Sequence, residues 1–140
     1  MKSKHILAIL GLIALALAGC SALTPAPELI ITKVDPASTT ADSAAITITF
    51  QNVNKVDAIL TTSRFTYRGL SGTTQSPVFN HSLYVPGNVG SVNLNVTVTG
   101  LTNIRTNLGS PVTMWIRFWG TDAYGYNKTF ATDSVAINCN

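Results

Sequence analysis

Charge is what this 140-residue sequence has least of: Asp, Glu, Lys and Arg together make up 11% of it. The nine basic and six acidic side chains are scattered. No basic stripe exists that would neutralise a phosphate backbone, so nucleic acid is not expected as a partner. Histidine is limited to His5 and His81, and cysteine to Cys20 and Cys139. There is no paired Cys at ligand spacing, no His-Glu-x-x-His and no Gly-x-Ser-x-Gly, so neither a metal site nor a nucleophile elbow is spelled out. The carboxylates Glu28, Asp35, Asp42, Asp57, Asp122 and Asp133 stand apart, mostly beside turns, where Asp commonly caps the backbone. His81 has no partner at motif spacing and reads as a surface residue. The expectation is a chain without catalytic residues, resident metal or cofactor. Long runs of helix formers and internal repeats are missing as well.

What is present begins at the N-terminus. Lys2 and Lys4 precede Ile6–Ala18, an apolar run of the length of a signal-peptide core and short of the roughly 20 residues that a membrane-spanning helix needs. The run ends in Leu17-Ala18-Gly19-Cys20. Charge, apolar core and this tetrapeptide, in that order, resemble the precursors of bacterial lipoproteins, whose lipobox is matched at all four positions. The resemblance implies cleavage by signal peptidase II between Gly19 and Cys20. It also implies a diacylglyceryl group on the Cys20 thiol, carrying acyl chains of the palmitate type. One acyl chain holds only marginally, at about 0.8 kcal/mol per buried CH₂, and the two or three usual in such proteins make the anchor lasting. The expected location is the cell envelope. Ser21, in place of Asp, favours the outer over the inner membrane where enterobacteria-like sorting applies.

These expectations divide the chain into a signal peptide helix (1–19), a lipidated Cys with its tether (20–28) and a domain (29–140). Removing Lys2 and Lys4 leaves seven basic against six acidic residues, a net charge of +1. With Cys20 acylated, Cys139 has no partner within the chain and reads as a frayed terminal thiol, with pairing to another chain as the alternative. Ser21 to Glu28, with Pro25 and Pro27, reads as an extended tether of roughly 25 Å.

From Leu29 onward the pattern is strands and turns. The first strand, Leu29–Val34, stops at Asp35-Pro36. Ala44–Asn52 alternates, with Ile46, Ile48 and Phe50 on one face. Asp57–Arg68 is less regular and ends with Phe65 and Tyr67 opposite Arg64, Thr66 and Arg68. Gly69 to Ser76 reads as a turn-rich break, and Pro77–Val85 as an edge strand, since Pro77 cannot donate to a ladder. Ser91–Thr99 puts Val92, Leu94, Val96 and Val98 inward. Leu101 to Ser110 is irregular, with room for one helical turn. Val112–Gly120 puts Val112, Met114, Ile116 and Phe118 against Thr113, Trp115, Arg117 and Trp119. Tyr126–Asn138 is the last strand. About seven strands of this kind predict an all-β fold, an immunoglobulin-like antiparallel β-sandwich.

The segment Ile46 to Asn54, then Tyr67, Tyr84-Val-Pro-Gly87 and Val92 to Val98, resembles the strand order of WHy/LEA type 2 domains across most of residues 29–138. Val53 stands where that family has the Pro of an Asn-Pro-Asn turn. The resemblance implies an immunoglobulin-like sandwich in a stress-related family without catalysis.

One constellation points to binding. Trp115, Arg117 and Trp119 share the outward face of one strand. In a sandwich of this kind the sixth strand commonly pairs with the third, which would bring Arg64 and Arg68 alongside. Two indoles and up to three guanidiniums make a platform suited to cation–π stacking and to protein hot spots, or to the faces of sugar rings. The expected function is a non-enzymatic, lipid-anchored envelope protein acting as a structural or protein-binding module. The alternative is a glycan-binding surface module using the aromatic/Arg face.

Overall fold

The computed structural model describes residues 24–140. The expected signal peptide, the Gly19–Cys20 cleavage point and lipidation at Cys20 lie outside the described residues. Among those residues no helix is long and apolar enough to cross a membrane.

Among the described residues are ten strands and one helix: β1 (Leu29–Asp35), β2 (Ser38–Thr39), β3 (Ala44–Asn52), β4 (Ala58–Gly69), β5 (Gly72–Gln75), β6 (Phe79–Val85), β7 (Val92–Val98), α1 (Leu101–Leu108), β8 (Val112–Asp122), β9 (Thr129–Ala131) and β10 (Val135–Cys139). They form two sheets. One has the order β1-β3-β7; the other runs β2-β10-β8-β4-β5, with β6 also on β4 and β9 also on β8. Every pairing is antiparallel except β2 with β10. The fold is the expected all-β sandwich. Three more strands appear than the seven read from the sequence: β2, β5 and the extra piece of a divided last strand.

The core follows from period-two alternation. Ile46, Ile48 and Phe50 of the small sheet face Val112, Met114, Ile116 and Phe118 of the large one, and all seven are fully buried. Phe50 and Phe118 meet edge to face at 5.0 Å between centroids, an arrangement favoured by the ring quadrupoles. Val96 and Val98 close the same interior, with Val92 and Leu94 partly buried at the rim.

Irregular strands carry bulges at their apolar phase shifts. In β4 the pairing with both β6 and β8 slips between Leu60 and Thr62. Thr61 is thus an extra residue. Ala58 and Leu60 face inward before it, and Ser63, Phe65 and Tyr67 after it. In β1 a slip between Ile31 and Lys33 lets Leu29, Ile31 and Val34 all reach the core despite uneven spacing.

Four expectations are corrected. Gly69–Ser76 contains β5, which forms a hairpin with β4 through Leu70 and Ser71. The last strand divides into β9 and β10 because Thr132 turns inward between them, where its Oγ1 accepts the Phe118 N–H at 3.2 Å. The 101–110 stretch forms two turns rather than one. Leu101, Ile104 and Leu108 pack on the core, and Asp42 caps the first turn from the β2–β3 loop, its Oδ1 accepting the Thr102 N–H at 2.8 Å. Cys139 is not frayed. It is the last residue of β10, held between Val112 of β8 and Thr39 of β2 and fully buried.

Strands β1, β3 and β4 fix the two ends of the sandwich. One end carries the entry segment Thr24–Glu28 and the loops 53–57, 86–91 and 123–128. The other carries α1 and the loops before β3 and after β4. At the entry end the expected tether is partly docked. Asn54 accepts the Glu28 N–H at 3.1 Å and donates to the Ala26 carbonyl at 2.6 Å, Val53 N–H reaches the Glu28 carbonyl at 2.9 Å, and Pro27 is buried. The Asn52–Asn54 turn therefore clamps the incoming chain.

Candidate functional site: the outer face of β4 and β8

The expected third-with-sixth pairing is that of β4 with β8. Its register sets Arg64 opposite Arg117, Thr66 opposite Trp115, Thr62 opposite Trp119 and Arg68 opposite Thr113. Since β8 buries Met114, Ile116 and Phe118, its intervening residues Trp115, Arg117 and Trp119 turn outward together. All five residues singled out in the sequence thus lie on one face of the large sheet. The indoles are half-buried, and Arg117 and Arg68 are exposed.

The register neighbours of the indoles are small. Trp119 is flanked by Thr62 on β4 and Ala131 on β9, and Trp115 by Thr66 on β4 and Ala136 on β10. No long side chain on the adjacent strands lies across either ring in register. Within β8 itself the Arg117 guanidinium stacks on one indole, its central carbon 5.8 Å from the Trp119 ring centroid. Arg117 is steadied there by donation from Nε to the Thr132 carbonyl at 3.1 Å. Arg64 donates to Gln75 Oε1 at 3.2 Å, and its Nε is buried with no hydrogen-bond partner among the described residues.

Like charges opposite one another across a strand pair repel, and nothing in the immediate register neutralises Arg64 and Arg117. Among the described residues the one ion pair is Lys33–Asp35, on β1. Two shallow grooves flank the Arg64–Trp119 ridge. One, about 240 Å³, is lined by Arg64, Thr66, Gln75, Trp115, Arg117, Trp119 and Ser134. The other, about 230 Å³, is lined by Thr62, Arg64, Val78 and Trp119. Both are smaller than the roughly 300–1,000 Å³ pockets that enclose a drug-sized ligand, so the face suits a surface contact.

Sequence reasoning missed Gln75 and Ser134, which line the groove from β5 and from the β9–β10 link. It also missed the surroundings of His81. That residue is half-buried on the edge strand β6, its Nε2 sharing a 2.7 Å hydrogen bond with Ser63 Oγ and its ring 5.9 Å from Phe118. Burial holds its pKa below the ordinary histidine value. A Ser–His pair invites a nucleophilic reading, but Ser63 is fully buried and no group of three His, Cys, Asp or Glu side chains gathers among the described residues. The pair serves packing: the imidazole satisfies a hydroxyl that the Thr61 bulge turned inward.

A third cavity, about 360 Å³, opens between the sheets beside Tyr67, Phe79, Val98 and Ile104. Its one titratable group is Tyr67, whose pKa burial pushes up to about 12, so it offers no acid or base for chemistry near neutrality.

Of the six scattered carboxylates, Asp42, Asp57 and Asp122 cap backbone N–H groups, whereas Asp35 pairs with Lys33. Burial pushes the Asp122 pKa up, but the N–H groups of Tyr126, Lys128 and Tyr124 outweigh this and hold it below the usual value. Asp57 is held low by the Tyr84 hydroxyl at 2.6 Å and then by the Gly87 N–H at 2.7 Å. No protein-family model matches the chain, and no curated protein matches it, so its functional reading rests on this geometry.

Proposed function

We propose that this chain is the precursor of a lipid-anchored envelope protein, non-enzymatic, whose sandwich presents the β4–β8 outer face to a protein partner. The observation that carries the reading is the pair of partly exposed indoles, one of them stacked with Arg117, among guanidiniums that form no ion pair within the described residues. Trp and Arg are the residues on which interface energy concentrates, and small flanking residues leave a partner access to Trp115 and to the stacked Arg117–Trp119 pair. The charge of Arg64, Arg68 and Arg117 favours a partner surface that offers carboxylates, through charge-assisted bonds. Cys20 supplies the lipid, Gly19 the residue before the cut, and the outer membrane is the favoured location.

Glycan binding is the second reading, favoured by the polar lining of the groove beside Trp115. Against it, Arg117 already lies over the Trp119 ring, the surface on which a sugar would stack.

Two measurements separate the readings. Chemical crosslinking in intact envelopes, compared between wild type and Arg117→Glu, should lose one defined protein adduct while circular dichroism stays unchanged. Sedimentation with peptidoglycan or polysaccharide should be unaffected by Trp115→Ala and Trp119→Ala. Retention on glycan that disappears in both Trp variants would replace the first reading with the second. Mass spectrometry of the wild-type N-terminus checks the anchor: an uncleaved apolar segment or an unmodified Cys20 thiol would overturn it.

A further inference from the structure

The entry end of the sandwich has a composition unlike the rest of the surface. Among the described residues nine large apolar or aromatic side chains are exposed, and five of them, Val53, Tyr84, Val89, Tyr124 and Tyr126, belong to this end. The opposite end has Leu70 alone. The five come from three separate connections, 53–57, 86–91 and 123–128, and from the end of β6, so no single strand pattern explains their meeting. Tyr124 and Tyr126 lie with ring centroids 6.4 Å apart. Lys55 and Lys128 stand among them, while Asp57 and Asp122 direct their carboxylates into hydrogen bonds with Tyr84, Gly87 and the 124–128 turn.

We propose that this end is a bilayer-docking surface, with Val53, Val89, Tyr124 and Tyr126 seated in the lipid headgroup region. The proposal rests on the lipid-anchor reading of Cys20. The occupant follows from where the chain enters. Ala26 and Glu28 are clamped on the same end by Asn54, and Cys20 precedes Ala26 by six residues, a reach of at most about 20 Å. A thiol at the bilayer surface therefore keeps these loops beside the headgroups. Tyr is suited to that depth, with an apolar ring and a wet hydroxyl. Lys stems can lie along the boundary with the charge toward anionic lipid. Seated in this way, the strands of both sheets stand across the membrane plane, and the Trp/Arg face looks sideways toward neighbours in the same leaflet.

The test uses the mature lipidated chain, purified in detergent and reconstituted into phosphatidylcholine–phosphatidylglycerol vesicles. Environment-sensitive labels are placed singly on Val89→Cys, Tyr124→Cys and Leu70→Cys; Cys139 is buried and stays unlabelled under native conditions. Lipid spin-labelled near the headgroup should quench the labels at positions 89 and 124 several-fold more than the label at position 70, with blue-shifted emission at the first two. Equal quenching at the two ends would overturn the docking surface while leaving the anchor standing. Mass spectrometry of the N-terminal peptide reads the anchor separately: an unmodified Cys20 would remove both readings. The label at position 89 keeps the test decisive if Tyr124→Cys fails to fold.

Discussion

Phe118 meets three kinds of neighbour: the Phe50 ring edge at 5.0 Å, the His81 imidazole at 5.9 Å and, through its backbone, Thr132. It is fully buried at the centre of the interface between the sheets. Phe118→Ala should cost about 3–5 kcal/mol, since both transfer energy and a residual cavity count against it; chemical denaturation at unchanged m-value checks this. Cys139 shows the other side of burial. Removal from water pushes its thiol pKa up, outweighing the lowering by Arg105, so little thiolate is present near neutrality. Its expected behaviour is inertness to a thiol reagent in the folded protein and full reaction in guanidinium. Reaction at the same rate in both states would mean that β10 opens readily.

Thr61 governs an element rather than a contact. With it, β4 buries Ala58 and Leu60 on one phase and Phe65 and Tyr67 on the other. Deleting Thr61 shortens the spacing from Leu60 to Ser63 from three residues to two, so both sets fall into one unbroken alternation and stay on the inner face. The expected result is a folded chain that keeps its near-ultraviolet circular dichroism, whereas inserting a residue beside Thr61 should abolish it; an unfolded deletion variant would show that the bulge itself is required. The same reasoning explains what could be read in advance. β3, β7 and β8 were legible because each buries one clean alternation, and that alternation also turned Trp115, Arg117 and Trp119 outward. Arg64 and Arg68 joined them on a pairing rule for sandwiches. β5 was not legible, since Gly72, Thr73, Thr74 and Gln75 are all exposed and carry no apolar face. α1 was underestimated because its cap, Asp42, lies 60 residues away from the Thr102 N–H it accepts. The Ser63–His81 contact was hidden by the bulge, which no local pattern announces.

The molecule as a whole is tied across its loops by acidic groups. Asp42 joins the β2–β3 loop to α1, Asp57 joins the β3–β4 loop to the turn after β6, and Asp122 closes the turn after β8. All three carboxyl pKa values are depressed in the fold: hydrogen bonds from Thr102 are the leading cause for Asp42, the Tyr84 hydroxyl for Asp57, and the three backbone donors that overcome burial for Asp122. A depressed carboxyl contributes stability above its unfolded pKa and loses it as pH falls toward the folded one. His81, also depressed, disfavours folding once pH drops below the unfolded histidine value. The melting temperature should therefore decline in two stages, beginning below about pH 6.5 and steepening below about pH 4. His81→Gln should remove the first stage and leave the second; a single acid transition in the wild type would contradict this. A last consequence follows from β2, whose Ser38 and Thr39 pair with Asn138 and Cys139. A chain emerging N-terminus first exposes that edge about a hundred residues before its mate arrives. During the wait the unmatched ledge is two residues long and hydroxyl-bearing, too short and too wet to recruit a neighbouring chain, so lateness of closure carries little hazard of aggregation.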